Sequence, residues 1–349
     1  MVDFPILKMI TFGLLPSFLK IWYYRLRGAQ IGENVSIGLF SILDCNDIVL
    51  KKGSKIGFLT YIRTEKFVLG RFSSINSLVY IDTRYVEIGE ETIIMEQTVI
   101  GGMQTHLSKF IIGDRCKIFP NCVLNTTYPI SIGNEVGVGG ANYLFTHGSW
   151  QSVLDGFPIQ FGPITIEDRV WLPWRVFIMP NVRLGEECTI GAGALVTKNI
   201  PRRSLAVGIP AKIIKNNYEY IKDLSHEDKV KIMKNIFFDM MNYLETLNWK
   251  FTIDIDNDES LRIYVNIKGK KLTQSIYVNL SENNDLNCHE PMYYLSLNSI
   301  NENTRNVILK HGGSYYDLNS HEWNGKRSYE SLEIRNFLGR YGLRFKYSG

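Results

Sequence analysis

Residues 166–196 read IEDRVWLPWRVFIMPNVRLGEECTIGAGALV, and an aliphatic side chain recurs there at every sixth position: Ile166, Leu172, Ile178, Leu184, Ile190 and Val196. The same row appears upstream as Ile31, Ile37 and Leu43, as Leu50, Ile56, Ile62 and Val68, as Ile88, Ile94 and Ile100, as Ile112, Ile118 and Leu124, and as Ile132, Val138 and Leu144. An α-helix repeats every 3.6 residues and a strand every 2, so a period of six fits neither. It fits a hexapeptide β-helix, in which each unit is a short strand plus a turn and every sixth side chain enters a shared core. Glycine often follows the inward residue, as at Gly32, Gly38, Gly57, Gly89, Gly101, Gly113, Gly133, Gly139, Gly185 and Gly191. The expectation is that these glycines supply unusual φ at tight corners. The fold class expected is mainly β: a left-handed parallel β-helix of hexapeptide repeats, with an N-terminal helix and a C-terminal α+β domain.

The chain has 349 residues, enough for about two domains. Its 45% hydrophobic content is ordinary for a soluble globular protein. The formal charge is only +4 and the charges are interspersed, which argues against a nucleic-acid partner. Five cysteines, Cys45, Cys116, Cys122, Cys188 and Cys288, form no CxxC pair, and free thiols in a reducing compartment are expected.

Three segments are expected. Residues 1–29 form an N-terminal helical cap, with Ile10, Leu14, Leu15, Phe18 and Ile21 near helical spacing. Lys8, Pro16 and Lys20 interrupt this apolar run, so neither a spanning helix nor a signal peptide is expected. A helix packed on the first coil is the preferred reading, and peripheral association with the inner membrane is the alternative. Residues 30–216 form the β-helix, interrupted by an extruded loop at 147–163. Residues 217–349 form an accessory domain. There Ser225 with Asp228 suggests a capped helix carrying Ile232, Ile236, Met240, Tyr243, Leu244 and Leu247, and FTIDID, LRIYVNI, SIYVNL and MYYLSL read as strands. A last helix is expected near 328–340, and the polar stretches SENND and NSINENT read as loops. Tyr293, Tyr294, Tyr315, Tyr316 and Trp323 are either core or a surface for sugar stacking.

Three pieces of the repeat, IEDRVW (166–171), IGAGALVTKNIP (190–201) and VGIPAKII (207–214), carry a resemblance. The chain resembles the left-handed β-helix, hexapeptide-repeat acyltransferases, nearest the branch that O-acetylates sugars and surface polysaccharides. The resemblance spans roughly residues 28–216.

That resemblance implies acetyl-CoA as donor, a carbohydrate acceptor, a homotrimer and a cytoplasmic location, with the inner face of the membrane as an alternative. It also implies a role for His147, in the string ANYLFTHGSW. The likeness has a histidine here, followed by a loop and a Gly-Pro restart, matched by Gly162-Pro163-Ile164. That histidine is the family's general base, and the chemistry needs one because a hydroxyl is a poor nucleophile until its proton is taken. A carboxylate such as Asp155 or Glu135 is a candidate to orient it. Asn142, Trp150 and Asp155 near the loop mouth are candidate acceptor contacts. For the cofactor the resemblance points to Gly191, Ala192 and Gly193, small enough to admit a pantetheine arm, to Trp174, and to Lys212 and Lys215 near the phosphates. Arg202 and Arg203 are further phosphate candidates. The likeness reads W-I-G-small where this chain has Trp171-Leu172-Pro173-Trp174; Pro173 removes a backbone donor, and Trp174 either lines the cofactor groove or narrows it.

His106 falls on the six-residue row, either displaced by a small loop or held as a partly buried structural residue. With only two histidines in the repeat, a three-histidine zinc site is not supported, and no metal is expected. N-acetylation of an amino sugar nucleotide and a non-catalytic β-helix scaffold are the alternatives to O-acetyl transfer.

Overall fold

The computed structural model describes residues 6–257, 260–267, 274–281, 286 and 290–349, and divides into two compact units, Met1–Lys222 and Asp223–Gly349. The division falls after Lys222, where the sequence reading placed it after residue 216.

The first unit is a three-sided parallel β-helix. On one side Ile31, Leu50, Leu69, Ile88, Ile112, Ile132, Ile166 and Leu184 stack in register. On the second, Ile37, Ile56, Ile75, Ile94, Ile118, Val138 and Leu172 do the same, with Ile190 against Ala206 beyond them. On the third stand Leu43, Ile62, Ile81, Ile100, Leu124, Leu144, Ile178 and Val196. These side chains form one continuous hydrophobic core. Each short strand gains little alone, and stacking coils bury the shared interior.

Two sequence expectations need correction. Val68 is not a core residue; Phe67 and Leu69 are buried on either side of it. The early coils hold one residue more than three hexapeptides, so Leu50 pairs with Leu69 and Ile56 with Ile75. The extra residue lies at the corner between the third side and the first.

Nor do the glycines after the core residues serve positive φ. Left-handed backbone falls instead three residues beyond core positions of the first and second sides, on Asn34, Phe40, Leu59, Glu91, Arg115, Glu135, Arg169, Arg175, Glu187 and others. The glycines answer to the coil above. A Cβ on Gly57 would stand 2.5 Å from the Asn76 carbonyl carbon and 2.6 Å from the Ser77 nitrogen. These are backbone atoms that cannot swing aside. We expect Gly57→Ala to cost about 1–3 kcal/mol of stability, read from denaturant unfolding. Gly193→Ala, with φ +72° but open space around it, should cost no more than about 1–2 kcal/mol, from backbone strain alone. Equal stability of wild type and Gly57→Ala would refute the close-stacking account.

All large insertions leave at that same corner between the third and first sides. Residues 102–108 form a small loop there, which places His106 on the exposed surface and off the core row. The second insertion begins at His147, and Ile132 pairs with Ile166 across it.

The N-terminus is two helices, Ile6–Thr11 and Ser17–Leu26, joined through a 3-10 turn and bent by 108°. Met9, Lys20 and Tyr24 face inward. Ile10, Leu14 and Phe18, expected to pack on the first coil, are exposed.

The second unit holds a seven-stranded sheet in sequential order, from Trp249–Asn257 to Lys346–Tyr347. With it are helices His226–Thr246, Glu302–Lys310 and Tyr329–Arg340. Ser225 accepts from the Asp228 amide, as the capping pattern indicated, and Ile236, Met240 and Leu244 are buried while Ile232 is exposed. The four sequence segments read as strands lie in strands. Tyr293, Tyr294, Tyr315, Tyr316 and Trp323 are all buried, so they build the core and offer no stacking surface. Residues 282–285 of SENND, with Cys288 and His289, lie outside the described residues.

Candidate active site

Strand Tyr143–Phe145 ends at the insertion corner, and the chain then leaves the coil as His147-Gly148, which pairs antiparallel with Gln160-Phe161. This two-rung ladder holds both ends of the loop. His147 is half-buried between the rings of Phe145 and Phe161, with centroids 6.4 and 6.2 Å away and interplanar angles of 28° and 16°.

Its Nδ1 lies 3.1 Å from Asn125 Oδ1 and 3.4 Å from Thr127 Oγ1. Asn125 sits one coil below, in register with Phe145. The identity of the facing atom decides the proton's position. The Thr127 backbone N–H, which can only donate, lies 3.2 Å from Asn125 Oδ1. Thr127 Oγ1 accepts from the Met103 N–H at 3.2 Å and donates to the same Oδ1 at 2.8 Å. The atom facing His147 is therefore an oxygen, and Nδ1 must carry the hydrogen. Nε2 is left with its lone pair, and it has no hydrogen-bond partner among the described residues. The arrangement can accept a proton at Nε2 from a group brought to the corner.

Asn125 and Thr127 were not singled out in the sequence. They lie 22 and 20 positions from His147, and an amide in place of a carboxylate carries no motif. Neither expected carboxylate orients the ring. Glu135 pairs with Arg115 at 3.0 Å in a corner ladder, where Arg169 and Arg203 in turn meet Glu187. Asp155 sits exposed in the 3-10 turn Val153–Asp155 of the loop. Trp150 is also exposed there. Asn142, expected to meet acceptor, is fully buried: its Nδ2 donates to the Gly139 carbonyl and its Oδ1 accepts from the Val176 N–H. It ties two coils together and is out of a substrate's reach.

Asn125→Ala should lower kcat by about 10–100-fold with KM for the donor nearly unchanged, because the ring then loses its fixed tautomer. Steady-state kinetics at several pH values checks this. An unchanged kcat and pH profile would mean that the Asn125 contact does not position the ring.

The remaining candidates gather on the last coils. Gly193 N–H donates to the Trp174 carbonyl at 3.0 Å, which places the half-exposed Trp174 one coil below Gly191-Ala192-Gly193. Its ring lies over Gly140, where a Cβ would collide with it, and the Trp171 ring likewise covers Gly137. Ala192 and Gly193 are exposed. Lys212 and Lys215 lie exposed on the strand Lys212–Asn216, which pairs antiparallel with Ser204–Val207. Arg202 and Arg203 instead meet Glu186 at 3.4 Å and Glu187 at 2.5 Å.

A parallel β-helix of six-residue repeats, with a histidine fixed at an extruded loop and a small-residue patch on its last coils, defines the hexapeptide-repeat class. No protein-family model matches the chain. A Schizosaccharomyces pombe protein named as an acetyltransferase is 43% identical over 99 residues, 27% of this chain and 47% of the relative. The galactoside O-acetyltransferase of Escherichia coli is 34% identical over 125 residues, 34% of this chain and 52% of the relative. The chain thus spans about half the length of these two relatives. An Escherichia coli protein named for acetyl transfer in colanic acid biosynthesis is 30% identical over 133 residues, 38% of this chain and 70% of that protein. Among solved structures, an acetyltransferase-named product from Bacillus cereus aligns over 56% of this chain and 94% of that chain, at 27% identity and a TM-score of 0.30. The chain belongs to the hexapeptide-repeat acetyltransferases.

Proposed function

We propose that this protein transfers an acetyl group from acetyl-CoA to a hydroxyl of a carbohydrate, a cell-surface polysaccharide or its precursor, with His147 as general base. The observation that carries the reading is the tautomer of His147. Its bare Nε2 takes the hydroxyl proton as the acceptor oxygen attacks the thioester carbon. The new C–O bond forms, the carbonyl electron pair moves onto oxygen, and collapse of that tetrahedral oxyanion breaks the C–S bond. The imidazolium returns its proton to the departing sulfur, so transfer is direct and the base is restored. Trp174 and the Gly191–Gly193 patch would seat the pantetheine arm, and Lys212 and Lys215, exposed and without a carboxylate partner among the described residues, would meet the phosphates. The names of the relatives support a sugar acceptor. Such a reaction belongs in the cytoplasm, where acetyl-CoA is supplied.

Thiol release from acetyl-CoA with hexoses, amino sugars and glycans tests this. Saccharide-dependent release giving an alkali-labile ester supports it. An alkali-stable amide formed only with amino sugars would assign N-acetylation instead. No release from folded, CoA-binding protein would leave a binding scaffold.

The active assembly is a homotrimer in this reading, because three prisms can close a ring through one heterologous interface. The loop tip supports it: Trp150 and Leu154 are 96% and 94% exposed in the single chain and would bury on a neighbour. Analytical ultracentrifugation should give three copies at micromolar concentration, and a monomer would overturn this part.

A further inference from the structure

The helix Ser17–Leu26 is turned with its polar side inward. Ser17 Oγ accepts from the Ile37 N–H at 2.9 Å, and Tyr24 Oη from the Leu43 N–H at 2.9 Å. Lys20 Nζ donates to the Gly38 carbonyl at 2.6 Å and the Ser41 carbonyl at 3.3 Å, and Arg25 to the Ile31 carbonyl at 2.8 Å. These backbone groups belong to the first coil, which has no coil beneath it. The helix satisfies the open edge with side chains, where an apolar stripe could not.

The consequence is an apolar outer face. Phe18, Trp22 and Leu26, spaced i, i+4, i+8, are 68%, 62% and 67% exposed. Ile6, Ile10 and Leu14 continue the same spacing on the preceding segment, all exposed, with Leu7 beside them. The terminal cap of a stacked-coil protein ordinarily presents a polar face to water. This one presents a patch large enough to need a cover.

We infer that the N-terminal helix pair docks the protein on an anionic lipid bilayer surface. The charge around the patch selects that occupant. From Phe4 to Gly32 the sequence has no Asp or Glu. The cations left at the patch are Arg25 and Arg27, since Lys8 pairs with Asp44 at 3.0 Å and Lys20 is buried against the first coil; Glu33, beside Phe18 and Trp22, is matched by Lys52 at 3.6 Å. Arg25 and Arg27 flank Leu26 at the exposed end of the stripe, and Arg27 lies over the Tyr23 ring at 5.8 Å. Apolar and aromatic side chains with two arginines at one end of the stripe suit the headgroup boundary of anionic lipid. No single described helix is long and apolar enough to cross a membrane, and the pair is bent by 108°, a shape suited to lying on the surface. The site at His147 stands five coil steps above the first coil, about 24 Å along the axis, with the helix itself adding about 10 Å to the outer face, within reach of a glycan extending from the surface. The inference goes beyond acetyl transfer and does not depend on it.

Co-sedimentation of the full chain with vesicles tests it. Wild type should pellet with phosphatidylethanolamine–phosphatidylglycerol vesicles, and the bound fraction should fall with added salt and be small on pure phosphatidylcholine. The triple variant Phe18→Glu, Trp22→Glu, Leu26→Glu should weaken binding by about 100-fold or more. The replaced side chains point away from the β-helix, so the melting temperature should change little; should the variant fail to fold, quenching of tryptophan emission by brominated phosphatidylglycerol that is present in wild type and lost in Trp22→Phe gives the same answer. Wild type that stays in solution with anionic vesicles at low salt overturns the inference. So does a folded variant that binds as well as wild type. A variant that only lowers the oligomeric state, with no vesicle binding by wild type, would assign the face to a second copy and likewise overturn it.

Discussion

His147→Ala should lower turnover by about 10²–10⁴-fold while acetyl-CoA binding changes little. The size follows from removing the proposed proton acceptor while the proposed donor seat, several residues of the last coils, is left alone. The environment of the ring sharpens the expectation. With Nδ1–H held by Asn125 Oδ1 at 3.1 Å, only Nε2 can serve as base. His147→Gln can reproduce one hydrogen bond but not accept the proton, so it should be nearly as inactive as His147→Ala. His106→Ala, on the exposed 102–108 loop, should keep most activity. Steady-state kinetics with a saturating sugar and calorimetric CoA binding separate the two terms. Activity within a few-fold of wild type in His147→Ala would remove the base from this position.

Stability should fall steeply on the alkaline side. Burial pushes the Cys116 and Cys188 thiols up to about 12 and Cys122 to about 11, and raises Cys45 further. In the unfolded chain these thiols ionise near 8.5. A folded-state value above the unfolded one means stabilisation that is complete below about pH 8.5 and lost as pH climbs toward the folded values. Lys20 acts in the opposite sense. Burial lowers it to about 8, so folding gains from it between about pH 8 and its ordinary 10.4. The thiols outweigh Lys20, and tyrosines that burial raises, Tyr24, Tyr80 and Tyr294 among them, add to the loss as pH approaches their ordinary value near 10. Thermal unfolding under reductant, at steps from pH 7.5 to 10, checks this. Replacing Cys116, Cys122 and Cys188 with alanine should flatten the slope. A melting temperature that is level or rising across that range would contradict the burial of these thiols.

The period-six row was legible because a core position is a local property. Ile166, Leu172 and Ile178 are inward whatever lies on neighbouring coils, and the structure places each of them in the core. What depended on neighbours was not legible. The glycines after core residues read as corner residues, yet Gly57 is small because the Asn76 carbonyl carbon of the next coil would lie 2.5 Å from its Cβ. Val68 read as core because one extra residue per early coil leaves no mark in composition. The N-terminal stripe was seen, but its direction was decided by backbone groups on the first coil that Ser17, Lys20 and Tyr24 satisfy.

The site divides along the same line. His147 stood out through its position at the break in the repeat. Asn125, which fixes its proton, is one coil away and became visible only when Leu124 and Leu144 were seen in register. Asn142, next to the loop in sequence, turned inward to bind the Gly139 carbonyl and the Val176 amide.

Proton transfer to His147 needs a lone pair on its Nε2. Nitrogen-15 chemical shifts of the histidine rings, assigned by comparison with His147→Gln, measure this directly near neutral pH. In the neutral ring the hydrogen should sit on Nδ1, the tautomer less favoured in water, and Asn125→Ala should let it move to Nε2. A neutral His147 carrying its hydrogen on Nε2 in the wild-type protein would contradict this.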